Sequence, residues 1–215
     1  MSLIKGCIFD LDGVIVDTAK YHYLAWKRLS DELGFEFSQK DNERLKGVSR
    51  MACMEILIEI GGLSLSEAEK HSYADKKNGW YVEYISDIGE EEVLPGARDF
   101  ITRLKAAGIK IALGSASKNA GIILKSLKLT EYFDAIIDGN KVSKAKPDPE
   151  VFLLGAQELG LPPENCVVFE DAKAGVEAAR RAGMKCIGIG TSPELSDADI
   201  MIPGFENVDL NILNL

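Results

Sequence analysis

Cys7-Ile8-Phe9-Asp10-Leu11-Asp12-Gly13-Val14 is a short apolar run that ends in two carboxylates and a glycine. Cys7-Ile8-Phe9 suits a buried parallel strand, and open α/β sheets bind ligands beyond the carboxyl ends of their strands, where Asp10 falls. A strictly extended chain points Asp10 and Asp12 to one face, with Leu11 opposite. Gly13 then lets the chain turn sharply. Acidic residues that only end a strand and cap a turn share this pattern, so the two readings are separated by the rest of the chain.

Downstream of Val16 the spacing becomes helical, with Tyr21, Leu24, Ala25, Arg28 and Leu29 recurring every three or four residues up to Gly34. Further helices are expected at about Met51–Ile60 and Ser66–Ile85, then, after the break at Leu94-Pro95-Gly96, from Ala97 to Ala107 with Gly108 as the stop. Beyond it, strand-like runs alternate with helices: Ile109–Leu113, Ala135–Ile137, Val167–Phe169, Cys186–Ile189 and Ile200–Ile202. This alternation predicts an α/β fold, a parallel sheet wrapped by helices. A strand-to-helix connection normally takes about 2–6 residues, whereas the stretch between residues 14 and 94 is long and helical. It reads as a separate inserted domain, a helical cap over 16–92, with the core formed by 1–15 and 93–215. Asn207–Leu215 reads as a short docked helix or tail.

Composition limits what the chain can do. Its 215 residues suffice for one sizeable core and a smaller satellite. A net charge of −9 argues against nucleic acid or an anionic membrane as the main partner. No apolar stretch approaches a membrane span and no signal peptide is apparent, so a cytoplasmic protein is expected. No coiled-coil heptad run argues against a monomer. Cys7, Cys53, Cys166 and Cys186 contain no CxxC pair and read as buried free thiols without chemistry.

The remaining chemical residues fall at strand ends. Ser115-Ala116-Ser117-Lys118-Asn119 follows one strand and precedes a helix from about Ala120, an arrangement suited to anions. Lys146 stands before Pro147-Asp148-Pro149, its position restrained just ahead of another helix. Val167-Val168-Phe169 ends in Glu170-Asp171, repeating the strand-then-acid design of Asp10. Four carboxylates converging on one sheet edge require a cation, and hard oxygen ligands suit Mg²⁺ better than zinc. Lys146 would supply further positive charge.

With these residues together the chain resembles the haloacid dehalogenase superfamily of phosphotransferases over its full length. The motifs stand in order: Asp10-Leu11-Asp12-Gly13, Ser115, Lys146-Pro147 and Glu170-Asp171. The resemblance implies a Rossmann-like core with an α-helical cap, Asp10 as the nucleophile that becomes an aspartyl phosphate, and Asp12 as general acid/base. It implies Ser115 and Lys146 as ligands of the transferring phosphate. Mg²⁺ would be held by the Asp10 carboxylate, the Asp12 backbone carbonyl and Asp171, with Glu170 contributing directly or through water.

Within that superfamily the chain is similar to the hexose-phosphate mutases that interconvert β-D-glucose 1-phosphate and glucose 6-phosphate through β-glucose 1,6-bisphosphate. Thr18, His22, Trp26, the Lys46-Gly47-Val48-Ser49-Arg50 segment and Ser115-Ala116-Ser117-Lys118-Asn119 carry this likeness, together with Lys77, whose neighbour Lys76 leaves the register open. A mutase needs a second anion site, for which Arg50 and Lys46 are the candidates. His22 is expected to bridge Asp12 and the hinge when the cap closes, with a structural histidine as the alternative. By their helical spacing Trp26, Trp80 and Tyr81 read as core aromatics. A Mg²⁺-dependent sugar-phosphate phosphatase is the leading alternative, since the same core carries hydrolases. A non-catalytic phosphosugar-binding module is the third reading.

Overall fold

The computed structural model describes residues 4–45 and 49–215. Gly6–Phe9 form strand β1, buried at every position because both of its sheet faces are covered. Around it lie β2 (Lys110–Gly114), β3 (Ala135–Ile137), β4 (Cys166–Glu170), β5 (Lys185–Ile189) and β6 (Ile200–Ile202). The order is β3-β2-β1-β4-β5-β6, and every pairing is parallel. Strand order therefore reverses direction at β1 and β4, the place where doubly wound sheets open a ligand crevice at their carboxyl ends.

Side chains along a strand alternate between faces, and β1 shows both. Ile8 packs with Ala112, Val168, Phe152 and Val176 on the face covered by α7 (Glu150–Leu159) and α8 (Lys173–Arg181). Phe9 stacks on Phe169 at a centroid distance of 4.5 Å on the other face. Phe100 from α5 (Ala97–Ala106) and Phe205 complete that aromatic cluster. The expected strands are present, each within one or two residues of the predicted ends.

Contacts divide the chain into two units, 1–17 with 88–215 and 18–87. Val16 pairs with Val93 in an antiparallel bridge and Leu94 N–H donates to Ile15 O, which keeps both strand-like ends with the sheet unit. The helical unit contains α1 (Ala19–Leu33), α2 (Gln39–Asn42), α3 (Arg50–Gly61) and α4 (Glu67–Ser86). In α4 a capping box replaces the helix start expected at Ser66: its hydroxyl accepts from Glu69 N–H while the Glu69 carboxylate accepts from Ser66 N–H. Helices α1 and α3 end on Gly34 and Gly62 in the left-handed conformation. The sheet unit adds α6 (Ala120–Ser126) after β2. The end of the chain forms a 3₁₀ turn at Leu210–Leu213. Among the described residues no helix is long and apolar enough to cross a membrane, and the four cysteines are buried free thiols.

Candidate active site

Register brings the motifs to one sheet edge. Phe9 pairs with Leu113 on one side and Phe169 on the other, so the residues that follow, Asp10, Gly114-Ser115 and Glu170, emerge together. Asp10 N–H donates to Phe169 O (2.9 Å), carrying the β1–β4 pairing one step beyond the strand. The chain is not extended through Asp12, as the simple strand geometry assumed. It turns at Gly13 (φ 78°), with Ile15 and Val16 N–H both donating to Leu11 O. A glycine is required for a second reason, because a methyl group at residue 13 would overlap the Asp171 carboxylate.

Lys146 ties the two acidic strand ends together. Its ammonium donates to Asp10 Oδ1 (2.5 Å) and to Glu170 Oε1 (2.9 Å), and lies 4.7 Å from the Phe152 ring centroid. The other Glu170 oxygen accepts from Asp171 N–H (2.6 Å) and Ala172 N–H (2.9 Å). Gly175 in α8 leaves the space Glu170 occupies. Asp10 and Glu170 are buried, and the charged groups there meet little water.

This desolvation sets the electrostatics. Burial raises the Asp10 carboxyl to about 7, with Lys146 opposing and Glu170 and Asp12 adding to the shift. Burial, then the charges of Glu170 and Asp10, raise Asp171 to about 8. Burial alone would pull the Lys146 ammonium down, but Asp10 and Glu170 outweigh it and hold it above its usual range. Carboxylate oxygens of Asp10, Glu170 and Asp171 all lie within 4.8 Å of one another. Three hard anionic donors so close, two of them destabilised as anions, fit a divalent cation that one lysine only partly replaces. The Asp12 carboxylate is not in this group.

Ser115 is buried beside them, its N–H donating to Ile137 O (2.9 Å) and its Oγ accepting from Ser117 N–H (3.1 Å). Ser117 Oγ in turn accepts from Asn119 N–H (3.3 Å), and the Asn140 amide donates to Lys118 O (2.9 Å). The 115–119 turn, including Ala116, is thus shaped by its own hydroxyls. Asn119 is the α6 N-cap residue, but its side chain makes no capping bond.

The helical unit gathers most of the other expected residues. Lys77 is buried, with Nζ 2.9 Å from His22 Nδ1 and facing the rings of Trp26 (4.6 Å) and Tyr81 (4.9 Å). Lys76 instead turns outward to pair with Glu32. The Tyr81 hydroxyl donates to Thr18 Oγ1 (3.1 Å), and its ring stacks on His22 at 4.0 Å. Arg50 donates to Asn78 Oδ1 (2.8 Å) and Asp75 Oδ1 (3.4 Å) from a partly exposed position. Lys46 and Gly47 lie outside the described residues. Spacing alone reads Tyr81 only as a core aromatic. The missed signal is a pair of i, i+4 steps, His22/Trp26 and Lys77/Tyr81, on two helices.

The family described as haloacid dehalogenase-like hydrolase matches residues 4–183. A β-phosphoglucomutase of Bacillus subtilis (strain 168) is 40% identical over 213 residues, covering 98% of this chain and 94% of that protein. A phosphorylated carbohydrates phosphatase of Thermotoga maritima is 33% identical, covering 93% and 90%. A solved β-phosphoglucomutase from Clostridium difficile superposes with a TM-score of 0.89 at 40% identity, covering 99% of this chain and 96% of that one.

Proposed function

Because the chain belongs to the haloacid dehalogenase-like hydrolase family, we propose that it acts as a β-phosphoglucomutase, interconverting β-D-glucose 1-phosphate and glucose 6-phosphate through an aspartyl phosphate on Asp10 and a β-glucose 1,6-bisphosphate intermediate. The observation that carries this reading is the 40% identity to the B. subtilis mutase, which runs through 98% of the chain.

Asp10 is the nucleophile: its carboxylate oxygen bonds to phosphorus as the phosphorus–oxygen bond to the sugar breaks. Asp12 gives a proton to the departing sugar oxygen and takes one from the incoming hydroxyl in the return transfer. Lys146, bonded to Asp10, and the Ser115 hydroxyl hold the transferring phosphoryl oxygens, with Ala116, Ser117 and Asn119 shaping the adjoining turn. Asp10, the Asp12 backbone carbonyl, Asp171 and Glu170 are the residues that would hold Mg²⁺. When bound, that ion neutralises charge on the carboxylates and on the phosphoryl group. Arg50, Lys46 and Gly47 take the second phosphate of the bisphosphate, and Thr18, His22, Trp26 and Lys77 serve the sugar side. The helical unit, residues 18–87 rather than the expected 16–92, serves as the cap that excludes water during transfer, since an aspartyl phosphate open to water is lost as free phosphate. The compartment is the cytoplasm and the working form a monomer.

The 33% identity to a carbohydrate phosphatase favours a second reading, in which the same core hydrolyses sugar phosphates. One assay separates them: β-D-glucose 1-phosphate with Mg²⁺, with and without β-glucose 1,6-bisphosphate, following glucose 6-phosphate and free phosphate. Bisphosphate-stimulated glucose 6-phosphate with little free phosphate is the mutase outcome. Free phosphate, indifferent to the bisphosphate, makes the protein a phosphatase.

A further inference from the structure

The turn after β3 meets the 115–119 turn at three successive carbonyls. Gly139 N–H donates to Ser117 O (3.2 Å), and the Asn140 side-chain amide donates to Lys118 O (2.9 Å). Ala116 O approaches Gly139 so closely that a Cβ there would come within 2.3 Å of it. We propose that Asn140, with the backbone of Gly139, is a positioning residue for the phosphate-binding turn: by holding these carbonyls it directs the N–H groups of Ser117 and Asn119 at the Ser115 and Ser117 hydroxyls, which leaves the Ser115 O–H to donate to a phosphoryl oxygen. This rests on the reading of Ser115 as a phosphate ligand.

In a planar trans peptide the C=O and the N–H point in opposite directions, so fixing one aims the other. With Ala116 O turned to Gly139, Ser117 N–H points the other way and donates to Ser115 Oγ (3.1 Å). With Lys118 O held by Asn140, Asn119 N–H donates to Ser117 Oγ (3.3 Å). The peptide between them is held in the same sense by Gly139 N–H on Ser117 O. A hydroxyl that accepts from an N–H keeps its own hydrogen as a donor, and donation is what a phosphoryl oxygen requires.

The brace is itself fixed. Asn140 Nδ2 meets two acceptors, Lys118 O and Asp138 Oδ2 (3.1 Å), so its nitrogen and not its oxygen must face them. Asn140 N–H donates to Asp138 Oδ1 (2.9 Å) and Lys141 N–H to Asp138 O (3.0 Å), which closes the turn. Ser115 N–H on Ile137 O joins the starts of the two turns. Gly139 is needed for close approach, because a side chain there would meet both Ala116 O and the stem of Lys118. Asn140 is exposed and grips the turn through the Lys118 carbonyl, so it acts on the phosphoryl group only through that turn.

The test uses the full chain with Mg²⁺, inorganic phosphate as the probe, and the variants Asn140→Ala and Gly139→Ala. In Asn140→Ala, hydrogen exchange of the Ser117 and Asn119 amides should quicken by about threefold to tenfold, with the amides of β3 and α6 unchanged. The Kd for inorganic phosphate should rise by about threefold to tenfold, and further in Gly139→Ala, where the methyl group displaces Ala116 O. With β-D-glucose 1-phosphate, kcat/KM of Asn140→Ala should fall by about tenfold. Unchanged exchange at Ser117 and Asn119 overturns the proposal. So does a lowered Tm with wild-type phosphate affinity, which makes the contact a merely structural one, or a lack of response of the wild-type 115–119 amides to phosphate. The mutase reading fails separately, if the wild type forms no glucose 6-phosphate, and the exchange and phosphate affinities then judge the brace on their own.

Discussion

Asp10 and Asp171 are carboxyls whose charged forms are disfavoured first by burial and then by neighbouring carboxylates, Glu170 foremost. Their carboxyls are raised from about 3.8 to about 7 and about 8. A raised folded-state value means that these groups contribute stability fully below the unfolded value, and that the contribution is lost as pH rises through 7 to 8. Without divalent ions the protein should therefore lose Tm between about pH 5 and pH 9 more than its surface acids account for. Saturating Mg²⁺ should restore the loss, giving a larger Tm gain at about pH 8.5 than at about pH 5.5. Equal gains at both values in thermal scans would contradict the shared carboxylate site. Asp10→Ala and Asp12→Ala should each lower turnover by more than about 10³-fold with the fold intact by circular dichroism. Near-normal activity in either removes the proposed mechanism.

At the scale of elements, the acids are placed by the turns and helices that follow their strands. Glu170 ends β4 and is clamped by Asp171 and Ala172 N–H, in space that the missing side chain of Gly175 leaves in α8. Gly175→Ala should displace Glu170 and loosen Lys146, lowering activity by about 10²-fold while secondary structure is kept. Its comparison is Gly121→Ala, where a methyl group meets nothing and no effect on activity is expected. Wild-type activity in Gly175→Ala would mean that Glu170 tolerates displacement and does not organise Lys146. The glycine at residue 13 was readable as a turn. The glycine at residue 175 was not, because its reason lies in a different element.

At the scale of the whole molecule, the two faces of one sheet are closed by different parts of the chain. Phe9, Phe100, Phe169 and Phe205 form a fully buried cluster that brings residues nearly 200 apart in sequence into contact behind the acidic edge. Phe205 also packs its backbone against Gly96, where an added Cβ would come within 2.5 Å of the Phe205 carbonyl carbon. Phe205→Ala should cost about 3–5 kcal/mol in denaturant unfolding, since an aromatic side chain is removed from a core that cannot collapse around it. A cost below about 1 kcal/mol would show that the C-terminal segment is not part of the cooperative core.

Period and punctuation alone marked the alternating strands and helices, the long helical insertion and the acids at strand ends, because these depend on local order: apolar runs, helical spacing, glycine and proline breaks. Asp10, Ser115, Lys146 and Glu170 could be picked out for the same reason, each standing just beyond an apolar strand or just before a helix. Their convergence depended on the strand order β3-β2-β1-β4-β5-β6, which no local pattern encodes. The choice of Lys77 over Lys76 also came from packing, since adjacent helical residues point about 100° apart and only tertiary contact decides which faces inward. Tyr81 shows the limit most plainly. Its spacing placed it correctly in a core, but its hydroxyl on Thr18 and its ring on His22 arise from the packing of α1 against α4, an interaction between segments about sixty residues apart.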